Sequence, residues 1–135
     1  MDLHLHSRYS RAVSQDMILP TMARLGKQKG LDVLTASDWT HPLWFKEITT
    51  QLEEAHDGMY VLKSEYRNPK SEANLSISNL NVQKEPLFIL STEISSIYTQ
   101  NGKLRRIHNL VFSPDFTAAE KISKELIRRG CNLNA

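Results

Sequence analysis

Hydrophobic positions along this chain follow two different periods, which predict helices and strands in alternation. Apolar residues at helical spacing predict a helix from about Asp16 to Lys29, a second that starts at Pro42, and a third opened by a capping box from Thr117 to Glu120. Alternating or continuous apolar runs predict strands over 2–6, 32–36, 59–66, 87–97 and 104–112. Strand and helix alternate over most of the length, which indicates an α/β fold.

The apolar residues of these elements define an expected core. The near-continuous run Leu87–Leu90 is typical of a strand that is buried on both faces. The helices are expected to bury Trp44, Ile48 and Leu52 in the second, and Ile122, Leu126 and Ile127 in the third. Residues 67–86 are rich in Asn, Ser and Lys and are predicted to form a long loop.

The dipeptide Asn101-Gly102 predicts a tight hairpin between the last two strands. With a two-residue turn there, Glu93 and His108 share one face as diagonal neighbours, roughly 7–8 Å apart at the backbone. That separation suits two side chains that bind one metal ion. The alternatives are a surface carboxylate on a strand that has left the core, and a histidine bonded to the backbone at the core edge. A register slip of one residue would place the pair on opposite faces.

The composition is that of an ordinary globular domain. The chain has 135 residues, of which 40% are hydrophobic and 24% charged, with a formal net charge of +2. One cysteine, Cys131, excludes an internal disulfide and favours a cytoplasmic location. No apolar run is long enough to span a membrane. Because the chain begins inside a strand and stops just after a helix, we expect residues 1–135 to form a single incomplete domain.

Two histidines near the amino terminus are the first candidate ligands. His4 and His6 lie two residues apart in a predicted strand, so their side chains share a face. Neutral imidazole is the commonest protein ligand of zinc-like metals, and two on one face make half of a site. The alternative is a surface strand with a polar face.

Further polar residues follow the second predicted strand. Asp38 comes just after a buried strand, at the end where α/β proteins place their sites, and His41 follows it. The alternative is that Asp38 or Thr40 caps the helix that starts at Pro42. His56 lies beside Asp57-Gly58 and is expected to cap a helix end.

Four ordered motifs resemble the polymerase-and-histidinol-phosphatase (PHP) superfamily of metal-dependent phosphoesterases. They are Asp2–Ser7, Ser37-Asp38, Thr92–Ile94 and Ile107–Leu110. Longer stretches at 6–12, 38–42, 95–98 and 102–108 resemble one branch, the endonuclease Q-like proteins, which are also described as helicase-associated. Trp39 stands where most members of the superfamily have a histidine.

The resemblance implies the N-terminal part of a distorted (β/α)7 barrel with an inserted β-hairpin, truncated before the last ligands. It implies two or three divalent ions, zinc or manganese. His4 and His6 would hold one ion, Glu93 would bridge two, and His108 would bind the second. Asp38 would act near a third ion, where His41 would replace the missing histidine, and Glu93 and Asp38 would be the catalytic residues. The reaction would be phosphoester hydrolysis by a metal-activated water.

The same resemblance implies a DNA repair endonuclease that acts on damaged or deaminated bases, with replication or repair proteins as further partners. Arg8, Tyr9, Arg11 and Arg106 flank the expected metal site and are the candidate DNA contacts. Solvated charge and simple packing are the alternatives for these four residues. Two other functions stay open: a phosphatase for a small phosphate monoester, and a truncated, inactive fragment that binds metal or DNA.

Overall fold

The computed structural model describes residues 1–67 and 84–133, which form one mixed α/β sheet with helices packed against it. In these ranges the helices are α1 (Leu19–Gln28), α2 (Pro42–Gln51) and α3 (Phe116–Arg128). The strands are β1 (Val33–Ala36), β2 (Leu52–His56), β3 (Met59–Leu62), β4 (Leu87–Gln100) and β5 (Lys103–Ser113). A 3₁₀ turn covers Ser64–Tyr66. No helix in the described part of the chain has the length and hydropathy that a membrane crossing needs.

The long strand β4 organises the sheet. It pairs in parallel with β1 along one edge and antiparallel with β3 and then β5 along the other. Phe88 accordingly pairs with Leu34 and Tyr60, whereas Leu90 pairs with Ala36 and Ser113. Beyond that point β4 continues with β5 as its pairing partner, so the two strands leave the sheet as a hairpin.

The predicted hairpin register is confirmed. Glu93 lies opposite Leu110, and Ser95 lies opposite His108. Asn101 and Gly102 have φ angles of 53° and 72°, the left-handed values that a two-residue hairpin turn requires at both positions. Glu93 and His108 therefore share a face, as the sequence predicts.

The two faces of β1 and β4 differ in character. One face packs against the helices and contributes Leu34, Ala36, Phe88 and Leu90 to the core, which also contains the predicted Trp44, Ile48 and Leu52. The opposite face carries buried polar groups as well: the hydroxyl groups of Thr35 and Ser91 lie 2.5 Å apart. Glu93 lies on this same face of β4, two residues after Ser91.

The predicted strand over 2–6 is wrong. Asp2 alone makes a bridge, parallel to Leu34, and its backbone N–H donates to Val33 at 2.9 Å. The Asp2 carboxylate then accepts from the His4 backbone N–H at 3.3 Å. Such local side-chain bonds compete with ladder pairing, so the segment leaves the sheet after one residue.

Strand β2 was missed, and three expectations around it are wrong. Leu52 is buried in β2 and not in the second helix, because α2 ends at Gln51 and runs into the strand without a glycine or proline stop signal. His56 ends β2 beside a hairpin turn, where Gly58 has a φ of 68°, so it caps no helix. The strand predicted over 59–66 is β3, which stops at Leu62.

The helix ends also differ from prediction. α1 begins at Leu19, not Asp16, with Pro20 in its first turn as predicted. α3 is capped by Asp115 instead of Thr117, because the Asp115 carboxylate accepts from the Ala118 N–H at 2.7 Å. Ile127 is 59% exposed, since α3 packs through its first half, around Phe116, Ala119 and Ile122. The predicted loop 67–86 lies outside the described residues, apart from residues 67 and 84–86.

Candidate metal centre

Three side chains form a cluster at the point where β4 leaves the core. His4, His6 and Glu93 each offer one ligand atom, and these atoms all lie within 4.8 Å of one another. His4 Nε2 lies 2.7 Å from Glu93 Oε2, and His6 Nε2 lies 3.9 Å from the same oxygen. Two imidazoles and a carboxylate are a donor set that zinc prefers.

His108 approaches the same carboxylate from the other side. Its Nδ1 donates a hydrogen bond to Glu93 Oε1, across the hairpin register described above. Bonds from His108 and His4 hold the pKa of the Glu93 carboxyl below its ordinary value. The two oxygens of Glu93 thus face different histidines, which is the arrangement that a bridging carboxylate needs.

Asp38 supports the cluster from the end of β1. Its Oδ1 accepts from His6 Nδ1 at 3.1 Å, while its Oδ2 accepts from the Ser7 N–H at 2.6 Å and the Ser10 hydroxyl at 2.7 Å. A carboxylate on one ring nitrogen fixes the tautomer and leaves the other nitrogen to bind metal. Asp38 therefore aims His6 Nε2 at Glu93.

The helix cap after β1 is His41, so the alternative that Asp38 or Thr40 caps α2 is wrong. His41 Nδ1 accepts from the Trp44 backbone N–H at 3.5 Å, and its ring stacks on Tyr9 with the centroids 4.5 Å apart. His41 also lines a cavity of about 40 Å³ together with Tyr9, Ser10, Asp38, Thr40, Thr92, Glu93 and Leu133.

Sequence reasoning missed Glu47, which joins two of the predicted DNA contacts. Glu47 Oε1 accepts from the Arg8 guanidinium at 2.5 Å and from the Tyr9 hydroxyl at 2.6 Å. The hydrogen bond to Glu47 raises the pKa of Arg8 above its ordinary value. No sequence signal marks Glu47, because it occupies an ordinary polar position on α2.

The other two predicted DNA contacts, Arg11 and Arg106, are exposed. Arg106 pairs with Ile97 and stands two residues from His108, so it shares the face that carries Glu93. No ion pair within residues 1–67 and 84–133 involves either arginine.

A wider cavity of about 500 Å³ opens beside the cluster. His6, Asp38 and Glu93 contribute to one wall, and Leu126 and the segment 131–133 contribute to another. This volume is within the range of small-molecule and cofactor sites. The sequence carried no signal for the second wall, because it depends on how α3 packs.

No protein-family model matches the chain. A segment of 48 residues is 44% identical to the uncharacterized protein MJ0043 of Methanocaldococcus jannaschii, and it represents 36% of this chain and 6% of that protein. This match indicates a relative and assigns no function.

Two solved structures share the fold over nearly all of the chain. One is endonuclease Q in complex with a 27-mer duplex that has an abasic lesion at the active site: the TM-score is 0.70, with 25% identity over 98% of this chain and 27% of that one. The other is the lesion-specific endonuclease of Pyrococcus furiosus: the TM-score is 0.66, with 24% identity over 94% of this chain and 25% of that one. The chain therefore spans about a quarter of the length of the endonucleases that it resembles.

Proposed function

We propose that this chain carries the metal centre of a phosphodiesterase that cuts damaged or deaminated DNA, as the N-terminal part of a PHP barrel. The observation that carries the proposal is the Glu93 carboxylate, with His4 and His6 at one oxygen and His108 at the other. The similarity in fold to endonuclease Q supports DNA as the substrate and hydrolysis as the reaction.

The donor set fits two divalent ions, zinc or manganese. His4 and His6 would hold the first ion, His108 would hold the second, and Glu93 would bridge them. Asp38 uses both oxygens in hydrogen bonds and His41 uses Nδ1 in the helix cap, so we assign Asp38 to orienting His6 and propose no third ion. Bound ions would supply charge neutralisation at the phosphate and activation of the attacking water.

The protein residues around the ions would position the DNA. Arg11 and Arg106 are exposed and unpaired with any carboxylate of the described residues, so they are the proposed phosphate contacts. The guanidinium of Arg8 is already bound by Glu47, so its proposed role is to hold the loop next to His6. Tyr9 stacks on His41 and would help to fix the same loop.

Measuring the metal content of the purified protein tests whether the proposed residues bind metal ions. Elemental analysis of the purified chain is expected to find about two zinc or manganese ions, and a His4→Ala/His6→Ala variant is expected to lose at least one. His56→Ala is the matched control, because His56 is exposed in β2 and belongs to no candidate metal cluster of residues 1–67 and 84–133. Equal metal content in the double variant and the wild type would contradict the proposed ligands.

The substrate needs a separate test. Duplex oligonucleotides that contain an abasic site, uracil or hypoxanthine are expected to be cut in the presence of zinc or manganese. Hydrolysis of p-nitrophenyl phosphate without any oligonucleotide cleavage would contradict the proposal and favour a phosphatase. In DNA-binding assays, the logarithm of the binding constant falls as the logarithm of the salt concentration rises. Arg11→Ala and Arg106→Ala are each expected to make this slope shallower by about one, whereas Arg8→Ala is expected to leave it unchanged.

A further inference from the structure

The hairpin beyond the sheet is the most exposed part of the described chain. We call residues 95–109 the arm: every one of them is exposed. Thr99 on the arm lies about 20 Å from Glu93 along the strand, at roughly 3.3 Å per residue. Because Glu93 and His108 lie at the base of the arm, one of its faces is continuous with the candidate metal centre. We call this the site face.

Two large aliphatic side chains lie on the site face. Ile97 is 61% exposed and Leu104 is 60% exposed. The register places Ile97 directly opposite Arg106, and Leu104 lies two residues before Arg106 on the same strand, so both aliphatic residues adjoin the arginine on this face. Exposed aliphatic side chains beside a functional site indicate a surface that is covered when its ligand binds.

The charge of the arm indicates what that ligand is. No Asp or Glu occurs between Ile94 and Pro114, whereas Lys103, Arg105 and Arg106 all lie there. None of these three cations forms an ion pair with a carboxylate in the part of the chain that the structure describes. A polyanion complements this surface better than a neutral or basic protein does.

We propose that the arm is a wedge for duplex DNA: Ile97 and Leu104 insert at an unstacked base step while Arg106 binds the neighbouring phosphate. Proteins that kink DNA use aliphatic side chains in this way, next to cations that hold the backbone. Ile97 stands about 13 Å from Glu93 along the strand, the length of roughly four base steps. The inserted side chains would thus open the duplex within a few nucleotides of the bond presented to the metal centre. This inference rests on the proposed DNA substrate.

The test uses fluorescence of 2-aminopurine placed next to an abasic site in a duplex. Binding of the wild-type chain is expected to raise this fluorescence, because the reporter base loses its stacking. Ile97→Thr and Leu104→Thr are expected to lose most of the rise while affinity for a single-stranded oligonucleotide is unchanged. Threonine has the β-branched shape that strands favour, so the hairpin is expected to stay folded.

Ile107→Thr is the matched control. Ile107 is 46% exposed on the opposite face of the arm, so its replacement is expected to leave the rise intact. An equal loss in all three variants would overturn the wedge, and so would wild-type binding without any rise; in both cases DNA as the substrate would stand. Failure of the wild type to bind DNA at all would overturn the proposed function as well.

Sedimentation analysis tests whether a second copy of the chain covers the site face instead of DNA. If the wild type forms a dimer that Leu104→Thr dissociates, the site face is an interface between two copies and the wedge is overturned. A monomer in both cases supports the wedge.

Discussion

At the scale of single residues, Asp38 shows how a strained backbone position serves the site. Its φ of 57° is uncommon for a residue with a side chain, although Asp and Asn adopt it more readily than most. In this conformation one carboxylate reaches His6 and also the turn that begins at Ser7. One side chain therefore sets both the ring orientation of a ligand and the path of the loop beside it.

Replacing Asp38 with asparagine tests this positioning role. Asn tolerates the left-handed backbone but lacks the negative charge and one of the two acceptor oxygens, so His6 Nε2 is a weaker ligand. Zinc affinity measured by isothermal titration is expected to fall about 10- to 100-fold. Asp16→Asn, at an exposed position outside the candidate cluster, serves as the control. Unchanged affinity in Asp38→Asn would refute the role.

Spacing alone predicted some of these contacts and not others. The meeting of Glu93 with His108 followed from the hairpin turn, because a two-residue turn fixes which residues share a face. The bonds of Glu47 to Arg8 and Tyr9 join residues 39 and 38 positions apart, and no local pattern encodes them. His4 and His6 do meet Glu93, but through a segment that leaves the sheet and not through a strand.

At the scale of elements, the ends of helices and strands are set by the local sequence where it contains a strong turn or stop signal. Where it contains none, they are set by tertiary contacts. Asn101-Gly102 defines the hairpin completely. By contrast, α2 passes into β2 without a stop signal, and the transition depends on the pairing of β2 with β3. That hairpin brings Tyr60 against Phe116 of α3, with ring centroids 4.4 Å apart.

Burial of Tyr60 predicts that the free energy of unfolding falls at alkaline pH. Burial raises the pKa of its hydroxyl above the ordinary value, so the folded state holds the proton more tightly than the unfolded chain does. As the pH rises through about 10, the unfolded chain ionises first and the free energy of unfolding falls.

Urea unfolding between pH 8 and pH 11 measures this effect. Tyr60→Phe keeps the ring and removes the titrating group, so its urea midpoint is expected to fall less steeply with pH than that of the wild type. Tyr98→Phe, at a residue that is 42% exposed on the arm, is expected to behave as the wild type does. Parallel curves for Tyr60→Phe and the wild type would show that this hydroxyl does not control the alkaline loss.

At the scale of the whole molecule, the candidate centre joins segments that are distant in sequence. The His4–Glu93 contact spans 89 residues, and Glu93 lies 15 residues from His108. Among the described residues, the backbone of the segment before Ser7 pairs with the sheet only through the bridge at Asp2. A bound metal would therefore act as a cross-link that holds this segment against the base of the hairpin.

Thermal unfolding with and without metal tests that cross-link. Metal that binds the folded state alone adds about 2.7 kcal/mol at a concentration of 100 Kd, which for a chain of this size raises Tm by roughly 10 °C. EDTA is expected to reverse the shift, and the His4→Ala/His6→Ala variant is expected to show little of it. Amide exchange in the wild type should slow at residues 2–7 and around Glu93 and His108 when metal is added. A shift in Tm without protection of residues 2–7 would place the metal elsewhere, because a cross-link through His4 and His6 cannot leave that segment free to open.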